Sequence, residues 1–276
     1  MVSGHVEFTD SQVELILRDL IERYGYDFTN YTRASLKRRM IQLVAIDRFP
    51  SFAEFRFRLR TDSEYFYRFV ERITVNVTEM FRDASFYKAL RTEIIPSLAT
   101  RPMIRIWHAG CSTGEEVYSM AILLQEAKLL HKSLLYATDL NPVVVGKVRE
   151  GIFPLGQMKQ YSENYIVSGG KKDFSSYYTA KYDSAKFLES LGERIVLATH
   201  NLVSDSSFNE FHLILCRNVL IYFDKFLQDR VIQLFYDSLE MLGYLALGNK
   251  ESIRFTNVYQ NFKQLENREK IWRKIA

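Results

Sequence analysis

The chain has 276 residues, and its 37 Lys and Arg against 33 Asp and Glu give a net charge of +4, which by itself is too small to indicate a nucleic-acid-binding protein. The 47% hydrophobic and 25% charged shares are typical of a soluble globular protein with one large or two modest domains. No apolar run approaches the ~20 residues of a membrane span, and the two cysteines, Cys111 and Cys216, provide neither a disulfide framework nor a CxxC metal site.

The N-terminal region is predicted to be helical. Its first ten residues have neither the basic start nor the apolar segment of a secretory signal, so we expect a cytoplasmic protein that does not insert into a membrane. Apolar residues then recur at helical spacing from about Thr9 to Tyr24 and from Arg33 to Arg48, and again in two segments that begin near Phe52 and Tyr65. These patterns predict a small helical bundle as the first domain, residues 1–75.

The same region is rich in arginine. Between Arg33 and Arg72, ten basic residues stand against five acidic ones. This local excess predicts a basic surface that steers an acidic partner, and the alternative is an ordinary solvated helical surface. Arg39 falls beside the apolar stripe of the second predicted helix. A basic residue at such a border often extends its stem along the core with its head in water, which is the simpler interpretation of Arg39.

The segment from Thr74 to Arg82 does not continue the pattern of the helices on either side. Polar Asn76 and Thr78 alternate with valines, and an aromatic residue and Arg82 follow. Thr78 could cap the next helix. The functional alternative is a polar lip in which Asn76, Thr78 and Arg82 contact a ligand.

A buried strand, a glycine turn and a helix are predicted around Gly110 and Gly114, with the helix extending from Glu115 to Leu130. The glycines let the backbone approach a ligand closely, and the helix start presents unpaired N–H groups. Glu115 and Glu116 stand where a pyrophosphate would otherwise bind, and the spacing of a phosphate loop is absent. A ligand with a cationic group, such as the amino-acid end and sulfonium of S-adenosylmethionine, fits better. The alternative is a helix start whose acidic residues are favoured by the helix dipole alone.

Strands and helices alternate after this turn. The second predicted strand, Leu134–Ala137, is followed by Asp139, at the position where a carboxylate often holds the ribose hydroxyls of a nucleotide. Asp139 could equally cap the helix that begins at Pro142. Residues 151–194 interrupt the alternation, and their mixture of polar and aromatic residues with a glycine turn predicts a small antiparallel appendage.

The remaining pattern completes an α/β sheet. Two apolar strands, Ile195–Ala198 and Phe211–Leu215, precede a helix at Lys225–Met241 and a strand at Tyr244–Leu247. An antiparallel hairpin is predicted between Phe262 and Ile275. Parallel strands with crossover helices and a terminal hairpin describe the sheet of class I methyltransferases.

Several linked motifs resemble the CheR-type chemotaxis receptor methyltransferases over nearly the whole chain. In chain order they are Asn76-Val77-Thr78 with Phe81-Arg82, Cys111-Ser112-Thr113-Gly114-Glu115-Glu116 with Tyr118-Ser119, Ala137-Thr138-Asp139, Asn201-Leu202, Cys216-Arg217-Asn218-Val219 with Ile221-Tyr222-Phe223-Asp224, and Asn249-Lys250-Glu251-Ser252. The chain departs from the family pattern at His108, where a small polar residue is usual, and at Val117, where proline is usual.

The resemblance implies an N-terminal helical domain for receptor recognition and a Rossmann-like, S-adenosylmethionine-dependent class I methyltransferase domain with an inserted β-subdomain. The corresponding bounds are 1–75 and 76–276, with the insertion at about 151–194. The implied cofactor contacts are Asn76, Thr78, Arg82, Glu115, Glu116, Asp139, Asn201, Leu202, Arg217 and Asn218. Of the two adjacent glutamates, we expect Glu116 to meet the methionyl amino group.

The resemblance also implies the reaction. A methyl group passes from S-adenosylmethionine to glutamate side chains on the cytoplasmic helices of methyl-accepting chemoreceptors, giving methyl esters and S-adenosylhomocysteine. Arg82, Arg39 and Tyr222 border the reacting groups, so for Arg39 the resemblance replaces the simpler interpretation. We expect a monomer with no metal, no catalytic histidine and no nucleic acid as partner.

Three rival functions remain. The first is methylation of another signalling protein or of a small carboxylic acid. The second is a non-catalytic sensor that binds the cofactor, although a sensor has no need of the substrate-facing arginines. The third is a nicotinamide oxidoreductase, which the acidic and incomplete glycine loop disfavours.

Overall fold

The structure is a computed structural model that describes residues 8–74, 78–265 and 268–276. Tertiary contacts group these residues into two units. The first comprises the described residues up to 74 together with Ile221–Arg230, and the second comprises residues 78–220 together with Val231–Ala276. The sequence-based bounds assign Ile221–Arg230 to the second domain, whereas in the structure this segment groups with the first unit. Asn76 lies outside the described residues.

The first unit is a bundle of helices, as predicted. Its helices are α1 (Asp10–Tyr24), α2 (Arg33–Ile46), α3 (Phe52–Thr61) and α4 (Ser63–Ile73). The side chain of Thr9 accepts a hydrogen bond from the N–H of Gln12 and so caps α1, which ends at Gly25 in the left-handed conformation. Helix α2 ends two residues before the predicted Arg48, because Arg48 itself has a positive φ of 56°.

Aromatic side chains form the core of this unit. Phe55, Phe66 and Phe69 are fully buried, and the ring of Tyr24 stacks on Phe66 with 3.7 Å between centroids. Each such buried ring removes a large apolar area from water, which is the main stabilising contribution of a small bundle. The helical spacing of these aromatics in the sequence therefore determines which faces of α3 and α4 point inward.

Residues 222–224 pair with the chain that precedes α2. Tyr31 and Phe223 form an isolated antiparallel bridge, and the N–H of Thr32 donates to the carbonyl of Tyr222 at 2.9 Å. The N–H of Asp224 donates to the carbonyl of Asn30, also at 2.9 Å. These bonds hold Tyr222 beside the start of α2.

The second unit contains most of the remaining elements. They are α5 (Ala84–Ala89), α6 (Ile95–Ala99), β1 (Ile104–Ala109), α7 (Glu115–Glu126), β2 (Ser133–Asp139), α8 (Pro142–Glu150), β3 (Ile152–Pro154), α9 (Met158–Val167), β4 (Tyr178–Lys181), β5 (Ser184–Phe187), α10 (Glu189–Gly192), β6 (Ile195–Thr199), β7 (Phe211–Cys216), α11 (Lys225–Ser238), β8 (Leu239–Leu247), β9 (Phe262–Gln264) and β10 (Ile271–Lys274). The first turns of α11 belong to the segment that groups with the first unit.

The main sheet has the strand order β6-β2-β1-β7-β8-β10-β9. The first five strands are parallel, and β10 is antiparallel to both β8 and β9. This arrangement confirms the predicted α/β class with a terminal hairpin. The strand β1 lies in the middle of the parallel part and is buried on both faces, so the turn that follows it opens at the centre of the carboxyl edge.

Besides α2, two further helices end earlier than predicted. Helix α7 ends at Glu126 rather than Leu130, because Lys128 has a positive φ of 59° and the chain turns there. Helix α11 ends at Ser238 rather than Met241, and β8 begins at once, with Leu242 at a φ of 65° inside the strand. In both places an apolar run continues past the end of the helix, so periodicity alone did not mark the stop.

The predicted appendage is a three-stranded antiparallel sheet in the order β3-β5-β4. It starts directly after Gly151, which ends α8 in the left-handed conformation, and it carries helix α9 between its first and second strands in the chain. Within the described ranges, no helix is both long and apolar enough to cross a bilayer.

Candidate functional site

The turn after β1 is the centre of the site in the second unit. Gly110 and Gly114 have positive φ values of 78° and 98°, which favour glycine over any other residue. A Cβ on Gly110 would lie 2.6 Å from the side chain of Val219, and one on Gly114 would lie 2.9 Å from Val148. The glycines are therefore needed for the backbone conformation and for the close packing of Val219 and Val148.

Asp139 connects this turn to the end of β2. Its carboxylate accepts the N–H of Ser112 at 3.0 Å and the N–H of Asn141 at 3.0 Å. Burial raises the pKa of Asp139, although these backbone N–H groups act in the opposite direction. The helix cap that was the alternative role for Asp139 is provided by Asn141, whose side chain accepts the N–H of Val143 at 2.9 Å. A carboxylate has about four lone-pair sites, so Asp139 can still accept bonds from a ligand.

Glu116, in the first turn of α7, is held by two basic side chains. One carboxylate oxygen, Oε1, lies 2.9 Å from Nδ1 of His108 on β1, and the other lies 3.5 Å from Nη1 of Arg217. Burial acts to raise the pKa of Glu116, but the hydrogen bond and charge of His108 and the charge of Arg217 outweigh it, so that the pKa lies below its ordinary value. Glu116 is therefore an anion at neutral pH.

Glu115 has different surroundings although it is the neighbouring residue. The hydroxyl of Thr113 donates to Oε2 of Glu115 at 2.6 Å, and the hydroxyl of Tyr161 on α9 donates to Oε1 at 3.4 Å. Burial raises the pKa of Glu115, and these hydrogen bonds and the charge of Lys147 offset that effect only in part. Of the two adjacent carboxylates, Glu116 is the one whose pKa is lowered by basic side chains.

Arg217, just after β7, is almost completely buried. It donates to Oδ2 of Asp83 at 2.6 Å and to the backbone carbonyl of Arg82 at 3.4 Å, and its guanidinium lies 4.1 Å from the ring centroid of Phe86. Asp83 was not among the predicted site residues. Its one signal in the sequence is its position directly after Arg82.

Four non-glycine residues around this edge have left-handed backbone conformations. They are Phe81, Asp83, Ser112 and Asn218, with φ values of 52°, 57°, 51° and 62°. Each such residue stores roughly 1–3 kcal/mol of strain, and such strain is concentrated at functional sites. The conformation of Asn218 is maintained by Glu251, whose Oε2 accepts its N–H at 3.1 Å.

The structure gives fewer side-chain contacts for the other predicted cofactor residues. The side chain of Asn201 accepts the N–H of Val203 at 2.9 Å in its own turn, and the neighbouring Leu202 is buried. Thr78 and Arg82 are half-buried. Thr78 does not cap the next helix, because α5 begins at Ala84.

Arg39 and Tyr222 lie together in the first unit. The Arg39 guanidinium is 4.8 Å from the ring centroid of Tyr222, and it also donates to the backbone carbonyl of Ile73. Cation–π contacts of this kind contribute roughly 0.5–1 kcal/mol at exposed sites and more when desolvated. Arg39 is half-buried, and its head contacts a ring and a carbonyl, which the simpler interpretation did not include.

The basic region of the first unit is less positive than the sequence count indicated. Within the described residues, six of its ten basic side chains pair with carboxylates: Arg33 with Glu14, Lys37 with Asp10, Arg56 and Arg60 with Asp19, Arg58 with Asp62, and Arg68 with Asp47. Three of these carboxylates belong to α1, which precedes the Arg33–Arg72 window. The count over one stretch of chain therefore missed the charges that a neighbouring helix supplies.

The carboxyl edge of the main sheet fits a polar, positively charged ligand. Five buried atoms at this edge have no hydrogen-bond partner among the described residues: Nε2 of His108, Oγ of Ser112, Nδ2 of Asn141, Nδ1 of His200 and Nε of Arg217. Buried polar groups normally have partners, so these atoms distinguish the edge from an ordinary apolar interior. At the same edge, Glu116 provides an anionic group and Asp139 provides a buried acceptor.

Comparison with known sequences identifies the family and the cofactor. The chain matches the CheR methyltransferase all-alpha domain over residues 11–74 and the CheR methyltransferase SAM binding domain over residues 76–271. S-adenosylmethionine is therefore the cofactor. The two matched ranges follow each other along the chain as the helical region and the α/β region do.

Similar proteins carry related names. A Pseudomonas putida protein provisionally named as the methyltransferase Cher3 is 43% identical, over 96% of this chain and 97% of its own length. The chemotaxis protein methyltransferases of Listeria innocua and Listeria monocytogenes are 32% and 31% identical, each over 87% of both chains. Together with the two domain matches, these similarities show that the chain belongs to the CheR methyltransferase family.

Proposed function

We propose that this methyltransferase esterifies glutamate side chains on the cytoplasmic helices of chemoreceptors and that it acts in the cytoplasm. The observation that carries the proposal is that an anionic Glu116, held by His108 and Arg217, and a buried Asp139 both lie at the carboxyl edge of the main sheet, within the range that matches the family. The Listeria relatives are named as chemotaxis protein methyltransferases, which supports a receptor as the substrate.

The reaction needs positioning more than acid–base chemistry. A glutamate side chain has a pKa of ~4.3 and is already a nucleophilic anion at neutral pH. When bound, the cofactor supplies an electrophilic methyl group. The carboxylate oxygen forms the new bond to the methyl carbon, and the electrons of the broken carbon–sulfur bond remain on sulfur, so that no proton is transferred. Orientation of the reacting groups can contribute ~7–11 kcal/mol of barrier lowering.

We propose the following roles for residues that hold the cofactor. Glu116 rather than Glu115 meets the methionyl ammonium, because Glu116 is the carboxylate whose pKa is lowered and Glu115 is turned toward Tyr161. Asp139 accepts the ribose hydroxyls, and Arg217 contacts the methionyl carboxylate through its unpartnered Nε. The remaining contacts that we propose from the family resemblance are Asn76, Thr78, Arg82, Asn201, Leu202 and Asn218.

The substrate carboxylate must lose its water shell before it reacts, which is costly unless a cation accompanies it. We propose Arg82 and Arg39 as these cations and the hydroxyl of Tyr222 as a hydrogen-bond donor. The support for the latter two is that Arg39 and Tyr222 are held together by a cation–π contact and that both are half-buried.

The test is incubation of the protein with methyl-labelled cofactor and receptor-containing membranes, followed by mass mapping of the modified residues. We expect label on receptor glutamates as methyl esters, and we expect Arg82→Ala to abolish it while circular dichroism shows an intact fold. Arg82→Lys, which keeps the charge, is the matched control and should retain part of the activity.

The same experiment separates the rival functions. If the label appears on another signalling protein or on a small acid, the proposal that a receptor is the substrate is wrong, although the protein is still a methyltransferase. Cofactor binding without transfer to any fraction would indicate a sensor. If the Arg82→Ala variant labels the receptor as well as the wild type does, Arg82 has no role in the reaction.

A further inference from the structure

His108 lies beneath Glu116 and is fully buried in the centre of the main sheet. In the register of β1 it is opposite Ala137 of β2 and Leu215 of β7, both of them apolar. Its Nδ1 is 2.9 Å from Oε1 of Glu116, and its Nε2 has no partner among the described residues. A polar ring in this position needs an explanation, because a buried polar atom without a partner costs stability.

The direction of the hydrogen bond follows from the charge of Glu116. An ionised carboxylate only accepts hydrogen bonds, so Nδ1 of His108 must carry the proton and donate it. The contact of this carboxylate with Arg217 is weaker, because Nη1 of Arg217 is 3.5 Å away and the short bond of Arg217 goes to Asp83 at 2.6 Å. The hydrogen bond from His108 is therefore the stronger of the two contacts that determine the rotation of the Glu116 carboxylate.

We infer that His108 is a positioning residue, which orients Glu116 so that its free lone pairs receive the ammonium group of the cofactor. This inference depends on the proposed contact between Glu116 and that group. Without the donor on β1, the carboxylate would turn toward the guanidinium of Arg217. The competing explanation is that His108 only fills space between strands.

Two ligands separate these explanations. S-adenosylhomocysteine carries the amino-acid end, whereas methylthioadenosine has the same adenosine and sulfur without it. We would measure the affinity of both by calorimetry for the wild type, for His108→Leu and for His108→Asn. Leucine fills the volume without a donor, while asparagine places an N–H close to the position of Nδ1.

We expect His108→Leu to lower the affinity for S-adenosylhomocysteine by about tenfold or more, as is typical when a charge-assisted hydrogen bond is lost. The affinity for methylthioadenosine should change by less than about twofold, because this ligand lacks the amino-acid end that would reach Glu116. His108→Asn should remain within about threefold of the wild type for both ligands. In a Glu116→Gln background, His108→Leu should cause almost no further loss, because the two residues act through one contact.

Several outcomes would overturn the inference. An equal loss for both ligands would show that His108 supports the fold and not the ammonium site, and an unchanged affinity for S-adenosylhomocysteine would show no role at all. If His108→Leu fails to fold, His108→Ala provides the same comparison without crowding. If the wild type itself shows no heat with S-adenosylhomocysteine, the cofactor assignment fails and the inference fails with it.

Discussion

Two neighbouring glutamates at the start of α7 have pKa values that are shifted in opposite directions. The pKa of Glu116 is lowered by His108 and Arg217 in spite of burial, and the pKa of Glu115 is raised by burial. The ionised form of Glu116 therefore stabilises the fold at pH values above ~4.3, and this contribution is lost as the pH falls through its lower folded value. The ionised form of Glu115 costs stability at neutral pH, and this cost is relieved as the pH falls through its raised folded value.

The opposite pKa shifts of Glu116 and Glu115 lead to a prediction for two matched variants. At pH 7, Glu116→Gln should lower the free energy of unfolding by about 1–3 kcal/mol, because it leaves buried donors less well satisfied. Glu115→Gln should leave that free energy unchanged or slightly higher. Urea unfolding followed by circular dichroism at pH 7 and at pH 4 measures both, and the gap between the variants should shrink at the lower pH. A gap that stays constant with pH would contradict the charge assignment.

The sequence could place both glutamates on the helix start but could not choose between them. The choice depends on His108, on the strand before the turn, and on Arg217, far along the chain at the end of β7. Neither of these residues stands at a helical or strand spacing from Glu116. Their contacts with Glu116 form only when β1 and β7 lie side by side in the sheet. Asp83, which holds Arg217, was missed for the same reason.

At the scale of the elements, a single carboxylate ties α7 to the inserted segment. Glu126 accepts a hydrogen bond from the hydroxyl of Tyr177 at 2.9 Å and another from the hydroxyl of Tyr165 on α9, and it pairs with Arg91. Both tyrosines belong to the inserted segment, whereas Arg91 precedes β1 in the chain. The inserted segment is thus attached to the main fold by buried polar bonds as well as by apolar packing.

We predict that Glu126→Ala lowers the free energy of unfolding by about 2–3 kcal/mol, because a mostly buried Arg91 loses its counter-charge. Amide hydrogen exchange should become faster between residues 158 and 187, measured by mass spectrometry. Tyr177→Phe removes only one hydroxyl, and it should lower the free energy of unfolding by about 1 kcal/mol. Unchanged exchange in that segment would show that apolar packing alone attaches it.

The order of the elements was predictable because the hydrophobic period changes along the chain. The parallel strands and the terminal hairpin follow from short apolar runs that alternate with helical patterns. The ends of α7 and α11 were not predictable in this way. Lys128 adopts a left-handed conformation that its residue type does not signal, and after Ser238 the apolar run continues directly into β8.

For the whole molecule, the charge distribution bears on how a substrate is recruited. Six of the ten basic side chains between Arg33 and Arg72 pair with five carboxylates of the same unit, three of which lie outside that stretch. The field that an acidic helix experiences is therefore weaker than the sequence count indicated. Arg38 and Arg72 are exposed and have no ion pair within the described ranges.

We therefore predict that recruitment of the receptor depends only modestly on salt. The KM for receptor methylation should rise by less than about threefold between about 0.05 M and about 0.3 M salt, because paired charges contribute little to long-range attraction. Arg38→Gln combined with Arg72→Gln should flatten the remaining dependence. Steady-state labelling of receptor membranes measures this, and a tenfold rise in the wild type would contradict it.

The antiparallel bridge between Tyr31 and Phe223 has a practical consequence for making fragments of this protein. A shortened chain that stops at residue 75 would contain the helices of the first unit but not the segment from Ile221 to Arg230 that groups with it. Such a piece would expose the aromatic face of Tyr31 and leave the N–H of Thr32 without its acceptor. Cloning the helical part alone should include a linked copy of that later stretch.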